Sequence, residues 1–250
     1  MTGEGNWTWL IQGRVPTLID AGAGDPRHVA AVAAALGDAR LAQVLVTHSH
    51  GDHAAGAAAL AARMPDARFA KMPWPERDAR WGVTFQPIVD DERIHAGDTE
   101  IVAVHTPGHA PDHLCFWHAP TRSVFCGDLA VQGTTVMIPG GDDGDVAAYI
   151  RSIERILALE PERMYPAHGA IIEEPAKLLR MYIRHRQERE AQVLAALRAG
   201  DTTAAAMTER IYRGLDPALL PAARASVTAH LRKLEREGRA RRAGDAWHMT

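Results

Sequence analysis

A chain of 250 residues, 46% apolar and 24% charged, with a formal net charge of −3 at pH 7, has an ordinary globular composition. It can hold one large domain or a medium and a small one, and it carries no global footprint for nucleic acid. No run approaches the ~20 apolar residues that span a bilayer, and MTGEGNWTWL lacks a basic leader before an apolar stretch, so a soluble, cytoplasmic protein without a membrane partner is expected.

In chain order, short β-rich runs (TWLIQG, PTLIDAG, AQVLVTH, ARFAKM, EIVAVHTPG, HLCFWH and RSVFCGD) recur up to about residue 163. Alanine-rich helices are predicted at 25–36 and 54–62, and Asp145 is the expected N-cap of a helix reaching about 159. Residues 71–87, rich in Pro, Trp and charge, read as a long surface loop. The two cysteines, Cys115 and Cys126, lie in apolar strand runs and read as buried thiols in a reducing compartment.

One long helix is predicted over 174–199, with Pro175 in its first turn and Gly200 after its end. Helices over 202–212 and 222–237 follow, then a hairpin turning at Gly244-Asp245, the order of a small winged-helix unit. The reading is therefore α/β, with a unit at 1–190 and a winged-helix-like unit at 191–250.

The segment VLVTHSHGDHAAG places His48, His50, Asp52 and His53 within six residues where a strand ends and a helix begins. Alternate residues of an extended chain point the same way, so His48 and His50 can share one metal; Gly51 then lets the chain turn, and Asp52 and His53 face a second. Three further turns follow apolar strands and carry His109, Asp128 and His168. The count assigns His48, His50 and His109 to one metal, Asp52, His53 and His168 to the other, with Asp128 bridging. Imidazole and carboxylate suit two zinc ions, manganese or iron being alternatives. Such a pair can lower the pKa of a shared water to about 7 and supply a bridging hydroxide for hydrolysis.

Taken together, these turns resemble the metallo-β-lactamase superfamily from residue 6 to residue 172, which implies an αββα sandwich and the same seven ligands. The resemblance also implies that Asp20, in LIDAG, supports the site from behind. The commonest penicillin-degrading zinc lactamases have Cys where this chain has Asp128, which argues against antibiotic hydrolysis. The runs TPGHAPDH, QGTTVMIP and MYIRHRQERE and the C-terminal unit resemble the lactamase-beta-like-protein-2 clade, some of whose members cleave single-stranded RNA. That resemblance points to an RNA phosphodiester as substrate, with a small ester, thioester or lactone close behind. A rival of another class is a nucleic-acid-binding regulator with an inert lactamase-like unit.

His113 and His105 are candidates to orient ligands, and Thr134 and Thr135 to contact a substrate anion. Trp74 and Trp81 read first as packing for the 71–87 loop. Arg184, His185, Arg186 and Arg189 form a basic stripe. Between 224 and 242, seven basic residues face only Glu235 and Glu237, a local footprint for phosphate. His28, His95, His118, His230 and His248 read as structural.

Overall fold

Strand runs alternate their side chains between two faces, and here both faces are covered. The computed structural model, which describes residues 5–141 and 143–250, arranges them in two five-stranded sheets. The first holds β1 (Trp9–Ile11), β2 (Thr17–Ile19), β3 (Gln43–Leu45), β4 (Arg68–Lys71) and β5 (Phe85–Pro87) in that order; β1 is antiparallel and the rest are parallel. The second holds β6 (Arg93–Ala96), β7 (Thr99–His105), β8 (Leu114–His118), β9 (Ser123–Gly127) and β10 (Arg163–Pro166).

The period of two divides the strand residues cleanly. Leu18, Val44 and Phe69 point outward to α1 (Pro26–Leu36) and to a helical segment that follows β3, where they meet Val29, Val32 and Leu60. Their chain neighbours Ile19, Leu45 and Ala70 point inward and pack on Ala103, Leu114 and Phe116 of the second sheet. Val104, Cys115, Val124 and Cys126 then face outward again, against two helices of the opposite layer. The result is an αββα sandwich.

The helical segment after β3 departs from the single helix expected at 54–62. It is split into α2 (Gly51–Ala54) and α3 (Ala57–Arg63). The cause is close approach at Gly56, where an added Cβ would lie 2.0 Å from the carbonyl oxygen of Ala21. A Gly56→Ala variant is expected to lose about 1–3 kcal/mol by overpacking, read as a lower urea midpoint with an unchanged slope.

The 71–87 stretch is also more ordered than a loop. Lys71 ends β4 fully buried, α4 (Pro75–Asp78) makes one turn, and β5 closes the sheet edge. Trp81 packs on the apolar cluster under α3, as expected, while Trp74 lies under the Arg77 guanidinium, 4.7 Å from it.

Further along, α5 (Val146–Ala158) begins at Asp145, whose side chain accepts from the Ala148 N–H. The long helix α6 (Pro175–Arg198) serves two cores: Leu179 and Tyr182 pack on the second sheet, while Val193, Leu194 and Leu197 pack against the C-terminal unit. That unit comprises α7 (Ala204–Ile211), α8 (Leu220–Arg236) and a hairpin of β11 (Ala240–Ala243) and β12 (Ala246–Met249). Val227, Leu231, Leu234 and Trp247 fill its core. Cys115 and Cys126 are free and buried.

Candidate metal centre

In the second sheet β7, β9 and β10 run in one direction, because β8 is antiparallel to both β7 and β9 and β10 is parallel to β9. Their C-terminal ends therefore lie along one edge, where His109, Asp128 and His168 follow. The chain leaving β3 arrives at the same edge, joined by the Leu114 N–H donating to the Thr47 carbonyl at 2.8 Å. Open α/β sheets bind ligands at such carboxyl ends.

All seven predicted ligands meet there, as two groups: His48, His50, His109 and Asp128, then Asp52, His53 and His168, with ligand atoms within each group no more than 4.8 Å apart. His50 Nδ1 is 2.9 Å from both His48 Nε2 and His109 Nε2. Asp128 joins the groups: Oδ2 is 3.3 Å from His109 Nε2, and Oδ1 is 3.5 Å from His53 Nε2 and 3.4 Å from His168 Nε2. Asp52 Oδ2 lies 3.3 Å from His168 Nε2 and 3.8 Å from His53 Nε2.

These separations are what shared cations require. Metal bonds of about 2.0–2.1 Å set ligand atoms roughly 3.3–3.4 Å apart at a tetrahedral centre and about 2.9 Å apart at an octahedral one. The donor set fits as well as the distances. His53 Nε2 is a fully buried nitrogen without a hydrogen-bond partner among the described residues. His53, His109 and His168 each place Nδ1 on a protein acceptor (Asp20 at 2.8 Å, the Met137 carbonyl at 2.9 Å and the Gly5 carbonyl at 2.9 Å), which leaves Nε2 to face the centre.

The local chain differs in one respect from an extended strand turned by glycine. Gly51 is the first residue of α2, and His50 is its extended N-cap. Helical rotation, not a left-handed glycine, swings Asp52 and His53 toward the second group.

Asp20 is buried with its backbone at φ 64°, a conformation aspartate tolerates better than most residues. Its carboxylate accepts from the Thr47 N–H at 2.7 Å, and from Thr47 Oγ1 and His53, so it braces the site from behind. His113 bonds Thr106 Oγ1 at 2.8 Å, and its Nε2 accepts from the Asp128 N–H at 3.1 Å. Gly127 must be glycine there: its φ is 47°, and a Cβ would fall 2.8 Å from His113 Nε2.

His105 does not reach the centre; its ring bonds the Pro111 carbonyl at the surface. Thr134 is exposed, and it is its carbonyl, not its hydroxyl, that is engaged, accepting from Tyr182 Oη at 2.8 Å; Thr135 is half-buried on the same loop. Sequence reasoning missed Tyr182 of α6 and read Arg186 only as part of a basic stripe. Tyr182 Oη donates to the Val131 and Thr134 carbonyls, and Arg186 donates to the Val136 carbonyl, one residue before the carbonyl that orients His109. Their spacing of four on a long helix was the available signal.

The ionisable groups of the cluster are arranged around Asp128. Burial opposes ionisation of its carboxyl, but His53, His109 and His168 outweigh it and hold the pKa far below the ordinary value. Burial likewise opposes charge on His53, yet Asp20 and Asp128 raise its pKa well above 6.5. Burial, then the neighbouring His109, lowers His50 to about 4. The acidic half of the cluster thus draws positive charge, and the His48 and His50 half resists protons, as neutral imidazole ligands must.

The basic stripes are less available than their sequence suggested. Arg186 is buried, and Arg189 stacks over Tyr212 at 4.0 Å. In the C-terminal unit Lys233 pairs with Glu190 at 2.5 Å and Glu237 at 2.7 Å, Arg239 with Glu190 at 2.8 Å, and Arg236 with Asp145 at 2.6 Å. Glu190 and Asp145 come from α6 and the start of α5, outside the window in which the charges were counted.

Comparison with known proteins agrees with this architecture. Residues 1–168 match the Metallo-beta-lactamase superfamily and residues 203–247 match the Beta-lactamase associated winged helix domain. A Beta-lactamase-like protein 2 homolog of Drosophila melanogaster is 31% identical over 257 residues, covering 96% of this chain and 86% of that protein. An Atrochrysone carboxyl ACP thioesterase of Aspergillus chevalieri is 36% identical over 202 residues, covering 78% of this chain and 61% of that protein. The crystal structure of a metallo-beta-lactamase family protein from Thermus thermophilus superposes with a TM-score of 0.82 at 20% identity, over 98% of this chain and 94% of that one. Sheet order, the clustered ligand types and both domain matches lead to one conclusion: the chain belongs to the metallo-β-lactamase superfamily and carries its associated winged helix domain.

Proposed function

We propose that this metal-dependent hydrolase cleaves a carboxylic thioester or a related activated ester, with two zinc ions held by the seven clustered side chains. The observation that carries the hydrolytic reading is the convergence of those side chains around Asp128, whose two oxygens face the two groups. Zinc at such a site supplies Lewis acidity and a water acidified to a pKa near ~7.

The chain's own residues do the holding. Asp20 and the carbonyls of Met137 and Gly5 fix ring orientations, so little reorganisation is needed when charge develops on substrate oxygen. Burial works against ionising Asp52, but the His168 hydrogen bond prevails and lowers its pKa. A carboxylate so stabilised is a weak base, which suits it to holding and orienting better than to taking up a proton.

The thioester rests on the resemblance to the Aspergillus chevalieri thioesterase, of which this chain spans about three fifths, and on the neutralised C-terminal basic run. Single-stranded RNA is the second reading, with the winged unit as its contact. It is favoured by the clade resemblance and by Arg224 and Arg241, which have no acidic partner among the described residues. Two buried free thiols accord with a cytoplasmic setting. Among the described residues no helix is long and apolar enough to cross a membrane.

The test is one zinc-loaded preparation of the full chain assayed for thiol release from acyl-coenzyme A esters of graded length and for cleavage of fluorescent single-stranded RNA. Thiol release with intact RNA is the expected result. RNA cleavage that falls on Arg224→Ala and Arg241→Ala, with no thiol release, would replace the first reading by the second.

A further inference from the structure

Behind the centre lies a buried charged network that the hydrolytic reading does not use. Lys71 and Asp112 are both 0% exposed, with Lys71 Nζ donating to Asp112 Oδ2 and to Asp78 Oδ1, each at 2.8 Å, and to the Met72 carbonyl at 2.5 Å. Ser49, the residue between His48 and His50, gives both of its donors to this network. Its N–H reaches Asp112 Oδ2 at 2.9 Å and its Oγ reaches Asp78 Oδ1 at 2.5 Å. Asp78 Oδ2 also accepts from the Trp74 N–H at 2.7 Å.

Asp112 belongs to the turn that follows β7, three residues after His109 and one before His113. A single ammonium therefore ties together the two turns that supply the three imidazoles of the first group, and ties both to the short helix α4. We infer that Lys71 and Asp112 are positioning residues that set the His48, His50 and His109 half of the centre and leave the Asp52, His53 and His168 half alone. This inference rests on the metal-site reading above.

The physical reason is the cost of the arrangement. Removing a lysine and a carboxylate from water is unfavourable, and apolar side chains of similar volume commonly serve stability as well or better. Asp112 Oδ1 is in addition a buried acceptor without a partner among the described residues. Such a pair contributes a fixed geometry: the Ser49 amide is held by a charged acceptor, so the rings on either side of it cannot rotate with the backbone. The second group is braced by Asp20, on a different strand exit, through His53 itself, whereas the same carboxylate touches the first group at His48, by way of Thr47 Oγ1 at 3.1 Å.

The test is cobalt(II) titration of the full-length chain, followed by visible absorption, with a Lys71→Met/Asp112→Leu double variant beside the wild type. The double variant removes both fully buried charges of the pair and leaves Asp78, which is partly exposed, with the Ser49 and Trp74 donors in place of its cation. A Lys71→Met single variant is the companion wherever it folds. The wild type is expected to take up about two cobalt ions per chain. In the double variant the site built on three imidazoles should weaken by roughly 10–100-fold, with a changed ligand-field spectrum, while the other keeps its affinity. A purely structural role predicts instead a lowered melting temperature with both affinities falling together or neither falling, and either pattern overturns the inference. A wild type that binds no cobalt fails differently, because it removes the metal site itself.

Discussion

An Asp128→Ala chain is expected to bind fewer than two metal ions and to lose hydrolysis by roughly 10^3-fold or more, because one carboxylate serves both halves of the centre. Its two oxygens lie 3.3–3.5 Å from His109, His53 and His168, which places it between the two halves. Burial and three imidazoles compete over this carboxyl, and the imidazoles win. Removing it leaves His53 with Asp20 as its remaining buried anionic neighbour, so His53 should become less basic. Metal analysis by emission spectroscopy, with thiol-release kinetics on the same sample, checks both statements. Two metals retained with near wild-type turnover would show that Asp128 is not a shared ligand.

A His230→Leu chain is expected to resist mild acid better than the wild type. His230 is 0% exposed, and neither of its ring nitrogens has a hydrogen-bond partner among the described residues. Burial, reinforced by Arg186, Lys233, Arg189 and His185, lowers its pKa from 6.5 to about 3. The sign follows from proton uptake. The unfolded chain takes a proton at this residue below about pH 6.5 while the folded chain refuses it until about pH 3. Stability is therefore fully present above the unfolded pKa and is lost as pH falls between those values. From pH 7 to pH 5 the loss from this residue is about 2 kcal/mol. Leucine has no proton to take up and fills much the same volume, so the variant should equal or exceed wild-type stability at pH 7 and lose about 2 kcal/mol less on going to pH 5. Urea unfolding at the two pH values measures this difference, in which groups common to both chains cancel. Parallel losses in the two chains would mean that His230 is solvated or protonated in the fold.

Much of the centre was legible because its chemistry is carried by short motifs at strand ends. His48, His50, Asp52 and His53 announce themselves within six residues, and the Pro-Gly-His, Gly-Asp and Pro-Ala-His-Gly turns each follow an apolar run. Helix limits at 26–36, 146–158 and 175–198 were legible for a similar reason: Asp25, Asp145 and Pro175 are local start signals whose effect needs no distant partner. The break at Gly56 was not legible, since it answers to the Ala21 carbonyl on another element. Nor was the role of Lys71. A lysine in a stretch rich in Pro and charge reads as surface until the fold closes two aspartates around it.

Residue order alone set which residue types stand at which strand ends, and with them the superfamily, the layer order and the capacity to hold two cations. Those properties depend on short-range periodicity and on the chemistry of single side chains, both of which can be read along a line. How the charges are shared emerged only on folding. Packing turned a row of C-terminal basic residues into pairs with Glu190 and Asp145, buried Arg186 against a carbonyl beside the centre, and left His230 without a hydrogen-bond partner among the described residues. Electrostatic energy depends on distance and desolvation, and neither exists until remote segments have packed.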